Sequence, residues 1–266
     1  MNNVAIAFLL TTIAGLSTGI GSCIAFFAKK TNVKFLAVAL GFSAGVMIYV
    51  SMMELLVGAI DILSACMNPK TGTLIAIVSF FVGMGIVAII DKLIPQDENP
   101  HTVTSPKHAA QAMEKNSKLM RTGLMTALAI GIHNFPEGLA TFIAALQEPS
   151  VAIPIVFAIA IHNIPEGIAV SVPIFYATGD RKKAFWYSFA SGLSEPLGAL
   201  IGYLILMPFI TDTMNGIMFA GIAGIMVFIS LDELLPSARE YGEHHLSIYG
   251  LVAGMAVMAL SLWMFM

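Results

Sequence analysis

One hexapeptide occurs twice in the chain, and its residue types are those that bind metal ions. The copies begin 29 positions apart and read His133-Asn134-Phe135-Pro136-Glu137-Gly138 and His162-Asn163-Ile164-Pro165-Glu166-Gly167. Imidazole, amide and carboxylate groups are ligands of divalent transition metals. On a helix, residues three and four apart share a face, so the His, Asn and Glu of each copy should point the same way. The repeat therefore predicts two sets of metal ligands.

The elements that carry these residues are expected to be membrane-spanning helices. Hydrophobic residues make up 58% of the 266 residues, charged residues only 11%, and the mean hydropathy is +0.86. These values lie far from those of soluble proteins, and about 20 apolar residues suffice to cross a bilayer. We predict an all-α integral membrane protein, forming a single transmembrane domain over residues 1–266, with eight transmembrane helices at about 4–28, 35–57, 72–92, 120–146, 151–178, 184–208, 214–235 and 246–266.

Three carboxylates are predicted at one depth in the membrane. Both hexapeptides lie near the middle of their spans, and so does Glu195 within Ser194-Glu195-Pro196 of span 6. An acid at the centre of a bilayer costs about 2.5–3.5 kcal/mol on insertion scales, and no Lys or Arg is expected there to neutralise it. Divalent cations would neutralise these acids, with carboxylates bridging two ions if the site is binuclear. The alternative is that protonated acids and neutral histidines pair and hold the helices together.

Proline and glycine in each hexapeptide bear on how the helices pack. Pro136 and Pro165 lack an amide hydrogen and should bend their helices. Gly138 and Gly167 should allow another helix to approach closely.

The basic residues predict an orientation for the chain. All but one of the 13 Lys and Arg residues fall in the odd-numbered connections, and Lys70 is the exception. Because cytoplasmic loops carry the positive excess, we place these connections in the cytoplasm and both termini outside. The longest connection, about 93–119, is polar and is predicted to be a flexible cytoplasmic loop. Cys23 and Cys66 fall at opposite faces and should not pair.

An internal repeat predicts the arrangement of the spans. Ser43–Leu56 matches Ile222–Leu235 at seven of fourteen positions, including Glu54 and Glu233. Gly15-Leu16-Ser17 with Gly21 matches Gly192-Leu193-Ser194 with Gly198, and spans 3 and 8 match more weakly. Helices 1–3 and 6–8 are thus predicted to be inverted repeats around helices 4 and 5, a 3+2+3 arrangement. Inverted repeats are typical of secondary transporters, whose substrate site lies near mid-bilayer and which work by alternating access.

These motifs together resemble the ZIP family of divalent metal transporters, and most closely its bacterial ZupT-type branch. The resemblance covers the whole chain. It rests on the doubled His-Asn-Xaa-Pro-Glu-Gly, the Ser-Glu-Pro of span 6, eight spans with both ends outside and the cytoplasmic loop between spans 3 and 4.

The resemblance implies a function and a site. The function is import of divalent metal into the cytoplasm across the bacterial cell membrane, with helices 1, 4, 5 and 6 moving against helices 2, 3, 7 and 8. Met47 stands where some members have a thioether ligand, although ordinary packing also explains it. The long loop holds only His101 and His108, whereas many members have a histidine-rich cluster there, so both are expected to be surface residues. The family's binuclear site implies as ligands His133, Asn134, Glu137, His162, Asn163, Glu166 and Glu195.

The repeated acids suggest where metal enters and leaves. Glu54 ends helix 2 on the outer side and is expected to attract metal at the entrance. Asp232 and Glu233, with His244 and His245, are expected to receive metal at the cytoplasmic exit. The alternative is that these acids simply contact water and lipid head groups near the helix ends.

The ligand chemistry limits the substrate and the class of protein. Carboxylate and imidazole suit zinc, iron(II), manganese and cobalt, and the scarcity of thiolates argues against a copper(I) specialist. We expect no cofactor, no enzymatic activity and no nucleic-acid partner; the partners are the lipid bilayer and the transported ions, and a homodimer stays open. An intramembrane metallohydrolase, a metal-regulated channel or sensor, and an exporter are the alternatives.

Overall fold

The computed structural model describes residues 3–27, 33–93, 112–147, 149–206, 211–241 and 244–264, and these ranges are almost entirely helical. The all-α prediction is therefore confirmed for this part of the chain. The helices are α1 Asn3–Phe27, α2 Val33–Val50 continuing through Ser51–Leu55 and Leu56–Cys66, α3 Pro69–Leu93, α4 Ala112–Gln147, α5 Pro149–Thr178, α6 Arg181–Gly192 continuing through Ser194–Ile201 and Gly202–Leu206, α7 Asp212–Ile229 continuing through Ser230–Leu234 and Leu235–Tyr241, and α8 His244–Met264.

The last part of the predicted loop belongs to a described helix. Helix α4 begins at Ala112, so residues 112–119 of the predicted loop are helical. This segment is polar, but Ala, Met, Glu and Lys are strong helix formers, so polarity alone does not indicate a loop. Residues 94–111, including His101 and His108, lie outside the described ranges.

Six of these helices are long and apolar enough to cross a membrane. Within the described residues, α1, α2, α3, α5, α7 and α8 meet this requirement, and α4 and α6 fall short of it. Helix α4 carries a polar first segment and a hexapeptide with two ionisable residues, and α6 begins with Arg181-Lys182-Lys183. The protein is therefore a multi-pass membrane protein, and its two least apolar helices, α4 and α6, carry residues predicted to bind metal.

Glycines set how closely the helices pack. A Cβ on Gly224 of α7 would lie 1.9 Å from the carbonyl oxygen of Phe80 in α3, and one on Gly45 of α2 would lie 2.0 Å from that of Leu251 in α8. Without a hydrophobic driving force between helices in lipid, close backbone contact of this kind is a principal source of association. Glycine is therefore required at the α3–α7 and α2–α8 contacts.

The interior of the bundle is polar at its centre, while its surface is apolar. His133, Glu166 and Glu195 are fully buried, whereas Phe81, Leu204 and Trp263 are more than half exposed. This distribution is the one that a lipid environment favours, because ionisable groups face the bundle interior and hydrocarbon side chains face the bilayer.

Candidate metal centre

The two hexapeptides face each other across the contact between α4 and α5. The Nε2 atom of His133 lies 3.3 Å from Oε1 of Glu166, and Nε2 of His162 lies 3.1 Å from Oε1 of Glu137. Each histidine thus meets the glutamate of the other helix and not the one on its own. All four side chains are almost completely buried. The sequence placed these residues on shared faces, and the structure brings the two faces together.

Helix α6 brings the third predicted acid to the same place. Glu195 is fully buried, and its carboxylate accepts a hydrogen bond from the Nδ2 atom of Asn163. Asn163 also donates to the carbonyl oxygen of Ala14 in α1 at 3.0 Å. Asn134 donates to the carbonyl oxygen of Ser191 in α6 at 3.3 Å. The two asparagines therefore tie the hexapeptides to α1 and α6.

The glycines of the hexapeptides permit this close packing, as predicted. A Cβ on Gly138 would lie 2.1 Å from the carbonyl oxygen of Glu195, and one on Gly167 would lie 1.9 Å from that of Thr18. Pro136 and Pro165 lie inside α4 and α5, which run as helices on both sides of them. The backbone that carries Glu195 is thus pressed directly against the hexapeptide of α4.

Several buried acceptor atoms in this cluster have no hydrogen-bond donor. Among the described residues these include Oδ1 of both asparagines and one carboxylate oxygen each of Glu137, Glu166 and Glu195. A buried polar atom without a partner costs about 1–3 kcal/mol, and more if charged. Such a concentration of oxygen acceptors is the chemistry of a cation site. In this conformation, no group of three His, Cys, Asp or Glu side chains in the described part of the chain is arranged to hold a metal ion. The side chains already close to one another are the two histidine–glutamate pairs between α4 and α5.

Ser43 of α2 is a contact that the sequence reasoning missed. Its hydroxyl lies 3.4 Å from Oε1 of Glu166 and 3.3 Å from the carbonyl oxygen of His162, within hydrogen-bonding reach of both. It is fully buried. The signal available in the sequence was a hydroxyl residue inside an apolar span, at the first position of the repeated segment.

The residues expected along the path of the metal ion, outside the cluster, differ in their burial. Met47 is fully buried in the apolar core of α2, one turn after Ser43. Glu54 is partly buried and Glu233 is buried, and each lies in a π-helical turn, at Ser51–Leu55 and Ser230–Leu234. Such turns are frequent at functional sites.

Of the two histidines expected at the exit, the structure describes the side chain of His245 and not that of His244. His245 is exposed at the start of α8, and its ring stacks on Tyr249 at a centroid distance of 6.2 Å. Its neighbour His244 begins α8. Asp232 is partly buried beside Glu233. Cys23 and Cys66 are both free and exposed, which confirms that they do not pair.

Comparison with known proteins agrees with the motifs and with the fold. The profile of the family described as ZIP Zinc transporter matches residues 92–262. A protein of Clostridium perfringens named zinc transporter ZupT is 63% identical, with all of this chain and 98% of that protein aligned. Proteins of the same name from Streptococcus mutans and Corynebacterium glutamicum are 63% and 55% identical, each over 97% of this chain and over 97% and 98% of their own length. The chain therefore belongs to the ZIP family of zinc transporters, and within it to the bacterial ZupT-type branch.

Proposed function

We propose that this protein imports zinc into the cytoplasm by alternating access, through a binuclear site at mid-membrane formed by the two hexapeptides and Glu195. Family membership supports zinc import and a transporter rather than an enzyme. Iron(II), manganese and cobalt are proposed as further substrates, because imidazole and carboxylate ligands accept all of them. The observation that carries the site is the pairing of each histidine with the glutamate of the facing helix.

The pair distances suit two metal ions. Zinc–nitrogen and zinc–oxygen bonds are about 2.0–2.1 Å, so two ligand atoms of a tetrahedral ion lie about 3.3 Å apart. The His133–Glu166 and His162–Glu137 atoms are 3.3 and 3.1 Å apart. Each pair can therefore hold one ion with little movement. The remaining ligands of each ion come from Glu195, the asparagine oxygens and water.

The proposed inverted repeat is supported by matching contacts in the two halves. Gly83 of α3 packs on the carbonyl oxygen of Gly221 in α7, and Gly254 of α8 packs on that of Phe42 in α2. Gly221 and Phe42 are equivalent when the repeated segments are aligned. The two π-helical turns are likewise equivalent, since Ser51 aligns with Ser230. Equivalent residues thus make equivalent contacts in reversed helices.

The contact between α1 and α6 also fits this symmetry. A Cβ on Gly15 would meet the carbonyl oxygen of Gly192 at 2.5 Å, and a Cβ on Gly192 would meet that of Gly15 at 2.4 Å. These two glycines are equivalent in the repeat, so exchanging the two halves of the molecule turns this contact into itself. Such a reciprocal contact is expected where the symmetry axis passes.

Alternating access requires that the site be closed on one side at a time. A cavity of about 10 Å³, room for about one water, adjoins Glu137 and Thr141. Its other walls are apolar, and they belong to the half of the bundle where α4 ends and α5 begins: Val50, Leu55, Ala140, Ile155, Ile159, Ile222 and Met226. In the proposed orientation this half faces outward, so an apolar layer separates the site from the outside.

The polar contacts lie on the opposite side of this layer. Ser43 precedes Val50 along α2, and Glu233 follows Met226 along α7. Both helices therefore carry polar residues from the level of the site towards the proposed cytoplasmic face. This supports release of metal in that direction, with Glu233 and Asp232 at the exit and Glu54 at the entrance.

Uptake into proteoliposomes tests the proposal. Wild-type protein should accumulate zinc, iron(II), manganese and cobalt, and Glu166→Ala should abolish uptake of each. Asp61→Asn is the matched control, because it removes an exposed carboxylate from α2 outside the cluster. In equilibrium dialysis the wild type should bind two zinc ions. Equal uptake by wild type and Glu166→Ala would overturn the site, and a single bound ion would overturn its binuclear form.

A further inference from the structure

A second cavity lies on the outer surface of the bundle, behind the hexapeptide of α4. Its volume is about 330 Å³, roughly twice that of the engineered apolar cavity of about 150 Å³ that accepts a benzene molecule. Helix α3 contributes Val82 and Ile86, α4 contributes Phe135 and Pro136, and α7 contributes Gly221 among other residues. The cavity is therefore bounded by one helix of the metal site and by two helices that carry none of its proposed ligands.

The walls of this cavity are suited to hydrocarbon. All of its lining side chains are apolar except Ser79, and no charged group lines it. The rim is open to the surroundings of the bundle, since Val78, Val82 and Ile217 are 53%, 54% and 41% exposed. The lining residues of α3 lie in the middle of a helix that is long and apolar enough to span the membrane. At that depth the surrounding medium is the hydrocarbon of the bilayer.

The absence of a side chain at Gly221 creates this space. A Cβ built on Gly221 would have only one neighbour within 4 Å, the carbonyl oxygen of Ser79 at 3.7 Å, so this position can take a larger side chain. The equivalent residue in the aligned segment of α2 is Phe42, whose side chain packs against the core. One half of the molecule thus has a phenyl ring where the other half has an apolar cavity.

We propose that this cavity binds one acyl chain of a bilayer lipid, seated between α4 and the pair α3 and α7. The chain takes the volume that Phe42 provides at the equivalent position, and it contacts the Phe135-Pro136 segment between the two ligands Asn134 and Glu137. The site recognises a hydrocarbon chain and not a head group, because its walls offer no charged partner. Lipid binding here does not depend on metal transport.

Photolabelling of the full-length protein in vesicles tests this assignment. The vesicles consist of phosphatidylglycerol and phosphatidylethanolamine, with a small fraction of phosphatidylcholine that carries a diazirine at the middle of one acyl chain. Peptides that contain residues 78–86 and 135–139 should be labelled several-fold more than the lipid-facing residues 252–263 of α8. Uniform labelling of all lipid-facing helices would overturn the proposal without any variant.

A matched pair of variants provides the second test. Gly221→Phe should fill the cavity and reduce labelling of residues 78–86 and 135–139 to the level of α8. Gly85→Phe is the control, because Gly85 also has open space around it and lies on α3 without lining the cavity. It should leave the labelling unchanged. Equal labelling in both variants would overturn the proposal, whatever their transport rates, and loss of labelling in Gly221→Phe alone would support it.

Discussion

The close contact between Gly138 and the backbone of Glu195 allows the geometry of the metal site to be tested by a single methyl group. In Gly138→Ala the new Cβ would lie 2.1 Å from the carbonyl oxygen of Glu195, whereas ordinary contact begins at 3.4 Å. Helices α4 and α6 must therefore separate locally by about 1.3 Å, which is a typical overpacking strain. This displacement moves Glu195 away from Asn163 and from the other ligands.

The expected result is a loss of zinc binding that exceeds the loss of stability. Disturbing the groups that orient metal ligands typically costs about 10–100-fold in affinity. We therefore expect Gly138→Ala to lower zinc affinity by about that factor, measured by equilibrium dialysis of the purified protein, and to lower uptake in proteoliposomes with it. Thermal unfolding of the same preparation measures the cost in stability.

A second glycine separates the effect on the site from the effect on packing. Gly224→Ala produces a similar overlap, since its Cβ would lie 1.9 Å from the carbonyl oxygen of Phe80, but it separates α7 from α3, and neither helix carries a ligand proposed for the mid-membrane site. This variant should lose comparable stability and retain wild-type zinc affinity. The reasoning is refuted if both variants bind zinc equally, or if folded Gly138→Ala binds as the wild type does.

Three further predictions concern the surroundings of the site. Ser43→Ala should weaken zinc binding by up to about 10-fold, because it removes a hydroxyl within reach of Glu166; an unchanged affinity in dialysis would remove Ser43 from the site. Zinc uptake should weaken as the outside pH falls from about 7 to about 5, since ligands must lose protons to bind metal and protons therefore compete with zinc for the imidazole and carboxylate groups; a flat pH profile in proteoliposomes would contradict this. Glu233→Ala should slow uptake more than Asp61→Asn, and equal initial rates and apparent affinities would exclude the exit role.

Much of the candidate metal site could be predicted from the sequence because its signals are local. His133 and Glu137 are four residues apart, and a helix puts them on one face whatever surrounds it. The doubled motif and Glu195 place ionisable residues in apolar spans. Their burial in a membrane costs free energy, so such residues are rare there and indicate a functional site. The same local signals predicted the close approach at Gly138 and Gly167, which the structure confirms.

Other features escaped the sequence because they depend on neighbours that are distant along the chain. Residues 112–119 are a different case, because their helical course follows from local helix propensity, which the polar composition outweighed in the prediction. Ser43 is separated from Glu166 by 123 positions, so nothing local to either residue indicates their contact. The cavity behind Phe135 arises from three helices, and the lack of a side chain at Gly221 has this consequence only once α3 and α7 are packed together.

The sequence by itself determined the membrane class of this protein, the course of most of its helices and the residue types of its proposed metal ligands, because hydropathy and helical periodicity act within one segment of chain. Only the tertiary structure decided which histidine contacts which glutamate. His133 pairs with Glu166 and His162 with Glu137, across two helices and not along one. The physical reason is that side chains on the same helix face point in parallel, whereas side chains on facing helices converge on the space between them.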